Sequence, residues 1–156
     1  MRHFWVDRIV ELEKGVRAVG LKSVALSEDM LHDHFPGNPV LPGIFVIEGL
    51  AQTGGVLLHE STDGRRFAVM VSIDRARFAS FARPGETVRL LVEAEEIGED
   101  TARVKGTATV DGREIAAARI SFRLLPLDAV IAPAYHFAWQ QTLNVWLGRY
   151  PESPHA

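Results

Sequence analysis

Two periods run through this chain. Val88, Leu90, Val92 and Ala94 alternate with Thr87, Arg89, Leu91 and Glu93, and Ala102, Val104, Gly106, Ala108 and Val110 alternate with Arg103, Lys105 and Thr107. A period of two sends successive side chains to opposite faces, so both stretches predict strands with one covered face. Ala116, Ala118, Ile120 and Phe122 continue the pattern as a last strand, and residues 98–100 and Asp111-Gly112-Arg113 predict hairpin turns. Residues 4–12 and 17–24 read as strands around a turn at Gly15, and residues 67–73 form a further apolar run. Between them the spacing changes. Ile44, Ile47, Ala51, Gly55 and Leu58 recur at helical intervals, which predicts a helix over 43–59 ending between residues 59 and 63. The order predicts an α+β domain, an antiparallel sheet wrapped around one long central helix.

The segment leading into that helix carries the candidate chemistry. Pro36, Pro39 and Pro42 each fix φ and bias the preceding residue towards extended backbone, so residues 34–41 have few states and His34 is held in advance. Pro42 and Gly43 stand where the helix begins, and the unpaired N–H groups of a first turn can receive a carbonyl oxygen or an oxyanion. Glu48 is the exception to the apolar pattern. Among Ile44, Phe45, Ile47, Leu50 and Ala51 a lone carboxylate loses hydration, so a packing explanation would favour Leu or Ala there. Gln52 is four residues on, on the same face, and can orient the carboxyl. A neutral imidazole and a protonated carboxyl side by side form an acid/base pair.

These residues resemble a known family. His34-Phe-Pro-Gly, Pro39-Val-Leu-Pro-Gly43 and Glu48-Gly-Leu-Ala-Gln52 are similar to the hot-dog-fold 3-hydroxyacyl-acyl carrier protein dehydratases of type II fatty acid synthesis. Val6-Asp-Arg-Ile-Val, Val71-Ser-Ile-Asp-Arg-Ala-Arg-Phe78 and Arg83-Pro-Gly-Glu-Thr87 extend the likeness over roughly residues 4–125. The resemblance implies a hot-dog fold and conversion of a 3-hydroxyacyl thioester to a trans-2-enoyl thioester and water. It assigns base to His34 and acid to Glu48 from the partner protomer, so each site is shared across a dimer. Gly43 matches the position whose N–H polarises the thioester carbonyl, and Gly43, Val40 and Gln52 form the expected substrate-binding set. No cofactor is implied, because the substrate rides on the phosphopantetheine of acyl carrier protein. That carrier is the implied partner, and the homodimer can assemble further as a trimer of dimers, a hexamer. Asp33 departs from the family, which commonly has glycine before the histidine.

Alternatives share the fold. A dehydratase/isomerase is one, although the bifunctional relatives carry aspartate at the acid position, so Glu48 favours simple dehydration. A non-catalytic acyl-thioester-binding protein is another, opposed by the presence of both His34 and Glu48. A thioesterase suits this apparatus less well. The pathway is fatty acid synthesis or a specialised lipid or polyketide route.

Composition narrows the class. A length of 156 residues suits one domain, read as a hot-dog dehydratase domain over 1–126 and a C-terminal helical extension over 127–156. Net charge of -3 without a long basic run argues against nucleic acid as partner. The absence of cysteine excludes disulfides and thiolate catalysis, and with no apolar leader at the N-terminus it leads to a cytoplasmic expectation. His32 and His34 lack further ligands nearby in sequence, so no metal is expected. Arg65, Arg66, Arg75, Arg77 and Arg83 are candidates for docking the acidic carrier. Residues 129–148 hold no full charge, yet Pro133, His136, Gln140, Gln141 and Asn144 make a poor membrane span. They predict instead an amphipathic helix with Tyr135, Trp139, Leu143 and Trp146 on one side, docked on its own or a neighbouring protomer.

Overall fold

The computed structural model describes residues 4–150, so the outermost ends of both expected segments, 1–3 and 151–156, lie outside the described residues. Strands β1 (Arg8–Glu13) and β2 (Arg17–Ser23) form the first hairpin. A short helix α1 (Met30–Asp33) precedes the proline loop, and α2 (Gly43–Ser61) follows it. Then come β3 (Arg66–Phe78), β4 (Thr87–Ile97), β5 (Thr101–Val110) and β6 (Arg113–Pro126). The chain closes with α3 (Leu127–Val130), a 3-10 turn at Pro133–Tyr135 and α4 (His136–Trp146).

All six strands belong to one antiparallel sheet of order β1-β2-β4-β5-β6-β3, with α2 packed against all six strands. The alternation of β5 is reproduced as strict exposed-buried exchange over its first six residues. The β5–β6 turn is built by Asp111 at φ 47 and Gly112 at φ 78, the paired left-handed residues of a type I′ hairpin. Helix α2 buries Ile47, Leu50, Leu57 and Leu58 against the sheet. Each such aliphatic contributes about 1.5–3 kcal/mol relative to exposure. Helix and sheet approach closely at Gly49, where an added Cβ would lie 2.8 Å from the Trp5 carbonyl oxygen and 3.0 Å from Leu90.

The structure departs from the sequence reading in three places. The first strand begins at Arg8, so residues 4–7 of the expected 4–12 strand precede it. The apolar run at 67–73 is part of a 13-residue strand reaching Phe78, and from Met70 onward its residues are exposed. β3 is a sheet edge, so one side of its backbone has no strand beside it, and Met70, Val71, Ile73 and Phe78 stay uncovered. In the C-terminal segment Tyr135 is not on the inward stripe. The 3-10 turn begun at Pro133 delays the helix to His136, which leaves Tyr135 ahead of it and 67% exposed. Leu143 and Trp146 are buried in the main core, and Trp139 packs against Phe67 and His59. No helix among the described residues is long and apolar enough to cross a membrane.

Candidate active site

His34 is placed by the loop that the prolines stiffen. The Val40 N–H donates to the His34 carbonyl at 2.9 Å, Phe35 and Asn38 exchange backbone hydrogen bonds at 3.2 and 2.9 Å, and the Leu41 N–H donates to the Ala82 carbonyl at 2.8 Å. Arg83 braces the loop from outside, its guanidinium donating to Asn38 Oδ1 at 2.6 Å. The imidazole stacks on Phe35 at 4.1 Å between centroids. Its Nδ1 lies 3.1 Å from the Val40 carbonyl oxygen. A carbonyl only accepts, so Nδ1 carries the hydrogen, and in the neutral ring the lone pair then lies on Nε2, the tautomer a base requires. Val40 therefore meets the site through its carbonyl, while its side chain is buried.

Gly43 opens α2 with Pro42 at the N-cap, and no side chain caps the first turn. A Cβ at Gly43 would fall 2.6 Å from Phe78 Cδ1, so the ring of β3 occupies the space a side chain would need. His34, Phe35, Gly43, Ile44 and Phe78 share one cavity of about 460 Å³. Free amide donors at a helix start and an imidazole thus border the same space.

Glu48 is half-buried one turn further along α2 and does not line that cavity. Gln52 Nε2 donates to Glu48 Oε1 at 3.0 Å, and Gln52 Oε1 accepts the Trp5 backbone N–H at 2.9 Å. Glu48 borders two other cavities. One, of about 240 Å³, opens beside Ile44, Phe45 and Ile73, and the other, of about 280 Å³, runs past Gln52 and Gly55 towards His59. Within one protomer His34 and Gly43 are brought together, and Glu48 and Gln52 form a separate pair.

The remaining candidates are scattered. His32 is exposed, and among the described residues no group of three or more His, Cys, Asp or Glu side chains is placed to hold a metal ion. Arg66 pairs with Asp100 at 3.5 Å, Arg83 serves the His34 loop, and Arg75 and Arg77 line an outer cleft with Lys105 and Arg119. Arg65 donates to the Thr62 carbonyl at 3.1 Å at the end of α2, so the five arginines do not form one rim. Sequence reasoning left out Phe78 and Phe35, which touch the Gly43 and His34 positions, and the place of Trp139 and Trp146 in the wall of the inner Glu48 cavity. Phe78 carried a signal, as the last residue of a family-like segment. The tryptophans carried only their helical spacing.

The FabA-like domain family matches residues 2–119. The chain is 45% identical over 125 residues to the 3-hydroxyacyl-[acyl-carrier-protein] dehydratase FabZ of Thermomicrobium roseum, covering 80% of this chain and 84% of that one. It is 42% identical over 120 residues to the FabZ of Geobacillus thermodenitrificans, covering 76% and 83%. Among solved structures, a conserved protein from Pseudomonas aeruginosa superposes with a TM-score of 0.63 at 19% identity, covering 76% of this chain and 87% of that one. A Streptococcus mutans protein bound to acetyl CoA superposes with a TM-score of 0.61 at 19% identity, covering 76% and 88%. These structural likenesses establish the shared hot-dog fold. With its loop, helix and sheet matched over most of their length, the chain belongs to the FabA-like domain family.

Proposed function

We propose that this chain is a 3-hydroxyacyl-acyl carrier protein dehydratase of fatty acid synthesis in which His34 and the partner's Glu48 act on one substrate. The observation that carries the shared site is the arrangement of the two groups. Each is fixed by its own hydrogen bond, they border different cavities of one protomer, and an apolar sheet edge lies exposed beside both. A second copy laid along β3 covers Met70, Val71 and Ile73 and brings a Glu48 to each His34.

The His34 Nε2 takes a proton from C2 of the substrate. The electron pair moves into an enolate whose oxygen accepts from the Gly43 N–H, and the N-terminal end of α2 favours that negative charge. The enolate then collapses, the C2–C3 double bond forms, and the C3–O bond breaks. Glu48 gives its proton to the departing hydroxyl, which leaves as water. A positioned acid or base contributes about 10²–10⁴-fold in such steps, and an oxyanion donor about 10²–10³-fold. The route needs no cofactor on the enzyme, since the phosphopantetheine arm belongs to the carrier protein.

Residues 1–126 are read as the dehydratase domain and 127–156 as its extension, supported by the end of β6 at Pro126. A cysteine-free chain suits the reducing cytoplasm. Arg75 and Arg77, in a basic cleft of about 270 Å³, are the residues offered for carrier docking.

The test follows hydration of a crotonyl thioester through loss of enoyl absorbance. His34→Ala and Glu48→Gln are each expected to lose at least about 10²-fold in kcat. Mixing the two inactive proteins under conditions of subunit exchange is expected to restore activity, because a heterodimer keeps one site with both groups. Full activity in either single variant overturns its assignment, and mixtures as inactive as their components overturn the shared site.

A further inference from the structure

Glu48 stands at the junction of two cavities, and the inner one leads away from the helix start. One stripe of α2 lines it: Glu48, Gln52, Gly55 and His59. Trp139 and Trp146 of α4 also line it, with Phe67, Met70 and Phe122 of the sheet. Trp139 meets His59 edge-on at 5.8 Å, which places it at the His59 end of the stripe, and Trp146 stands 6.3 Å from Trp139 and edge-on to Phe4 at 5.1 Å. His59 lies eleven positions after Glu48, which places that end about 16 Å along the helix from the acid.

On the reading proposed above, the thioester carbonyl lies at a helix start and the C3 hydroxyl at Glu48. Carbons beyond C3 must continue past Glu48, and of the two apolar spaces that adjoin it the inner one leads away from the helix start. We propose that Trp139 and Trp146 are the end wall of the acyl site, so that the C-terminal helix sets the longest chain this enzyme accepts. The wall comes from residues beyond the 2–119 family match, so the length limit is a property of this chain's own extension. Gly55 marks the floor of the passage. A Cβ there meets no heavy atom within 4 Å, so a larger side chain fills cavity instead of displacing structure.

Two variants act in opposite directions. Trp139→Ala removes part of the wall, and Gly55→Leu blocks the passage before it is reached. The readout is kcat/KM for hydration of 2-enoyl CoA thioesters of four, eight and sixteen carbons. Trp139→Ala is expected to raise the sixteen-to-four ratio by about tenfold or more, and Gly55→Leu to lower the eight-to-four ratio by a similar factor. A parallel arm measures binding of saturated acyl CoA thioesters of the same lengths, which needs no catalysis. If the wild type fails to hydrate the four-carbon substrate but both variants shift the longest thioester bound, the dehydratase reading falls and the wall stands. If Gly55→Leu folds and binds or turns over long chains as the wild type does, the wall is overturned whether or not Trp139→Ala folds.

Discussion

Gln52 holds Glu48 from one side while Trp5 holds Gln52 from the other: the amide donates to the carboxyl at 3.0 Å and accepts the Trp5 N–H at 2.9 Å. The candidate acid is thereby tied to the backbone of the N-terminal segment. Replacing Gln52 by Met keeps the length of the side chain and removes both bonds, leaving the N–H of the buried Trp5 without its acceptor. A cost of about 1–3 kcal/mol is expected, read as a lower urea midpoint at constant m. Gln52→Glu restores an acceptor for Trp5 but sets two carboxyls four residues apart on one face, so its stability should lie nearer the wild type while the basic limb of its pH–rate profile moves to higher pH. Equal profiles for wild type and Gln52→Glu would show that Gln52 does not act through Glu48.

Helix α2 reaches the N-terminal segment only because residue 49 has no side chain. A methyl there presses on the Trp5 carbonyl and on Leu90, and neither has room to retreat. Gly49→Ala is expected to destabilise by about 1–3 kcal/mol despite the better helix propensity of alanine. Gly55→Ala, six residues on and facing open space, is expected to stabilise by about 0.5–1 kcal/mol. Opposite shifts in thermal midpoint would verify the difference between the two glycines, and equal shifts would refute it.

Asp74 sits at an irregularity in the pairing of β3 with β6 and ties the two strands together. Its carboxylate accepts from the hydroxyls of Ser121 and Ser72, each at 2.8 Å, and these bonds, with Arg103 and Arg119 nearby, hold its pKa below the ordinary 3.8. A carboxyl with a lowered folded-state pKa adds stability that is complete above the unfolded value and lost as pH falls through the folded one. The stability gap between wild type and Asp74→Asn should therefore be constant from neutral pH to about pH 5 and close below about pH 4. Urea titrations across pH 2–7 measure it, and a gap that persists at pH 2 would exclude the carboxylate as its cause.

Arg75 and Arg77 share a cleft with Lys105 and Arg119 on the outer side of the sheet. Reversing both to Glu is expected to raise KM for carrier-linked substrate at least about tenfold more than KM for a small soluble thioester, since charge complementarity acts mainly on encounter. The difference should shrink with added salt. Equal changes for both substrates would remove this cleft from carrier docking.

The order of elements was legible in the sequence because each carries its own period. β4 and β5 alternate by two, α2 repeats at helical spacing, and Asp111-Gly112 can hardly do other than turn. The rigid setting of His34 was legible too, since three prolines restrict the loop whatever surrounds it. Relations between distant segments were decided only by the tertiary structure. Nothing local tells residues 67–73 that their strand lies at an edge, with Met70, Val71 and Ile73 uncovered, or brings Trp5 to Gln52 across 47 positions. The meeting of Trp139 with His59 is of the same kind, for periodicity reports which face of a helix is apolar and is silent about what that face will cover.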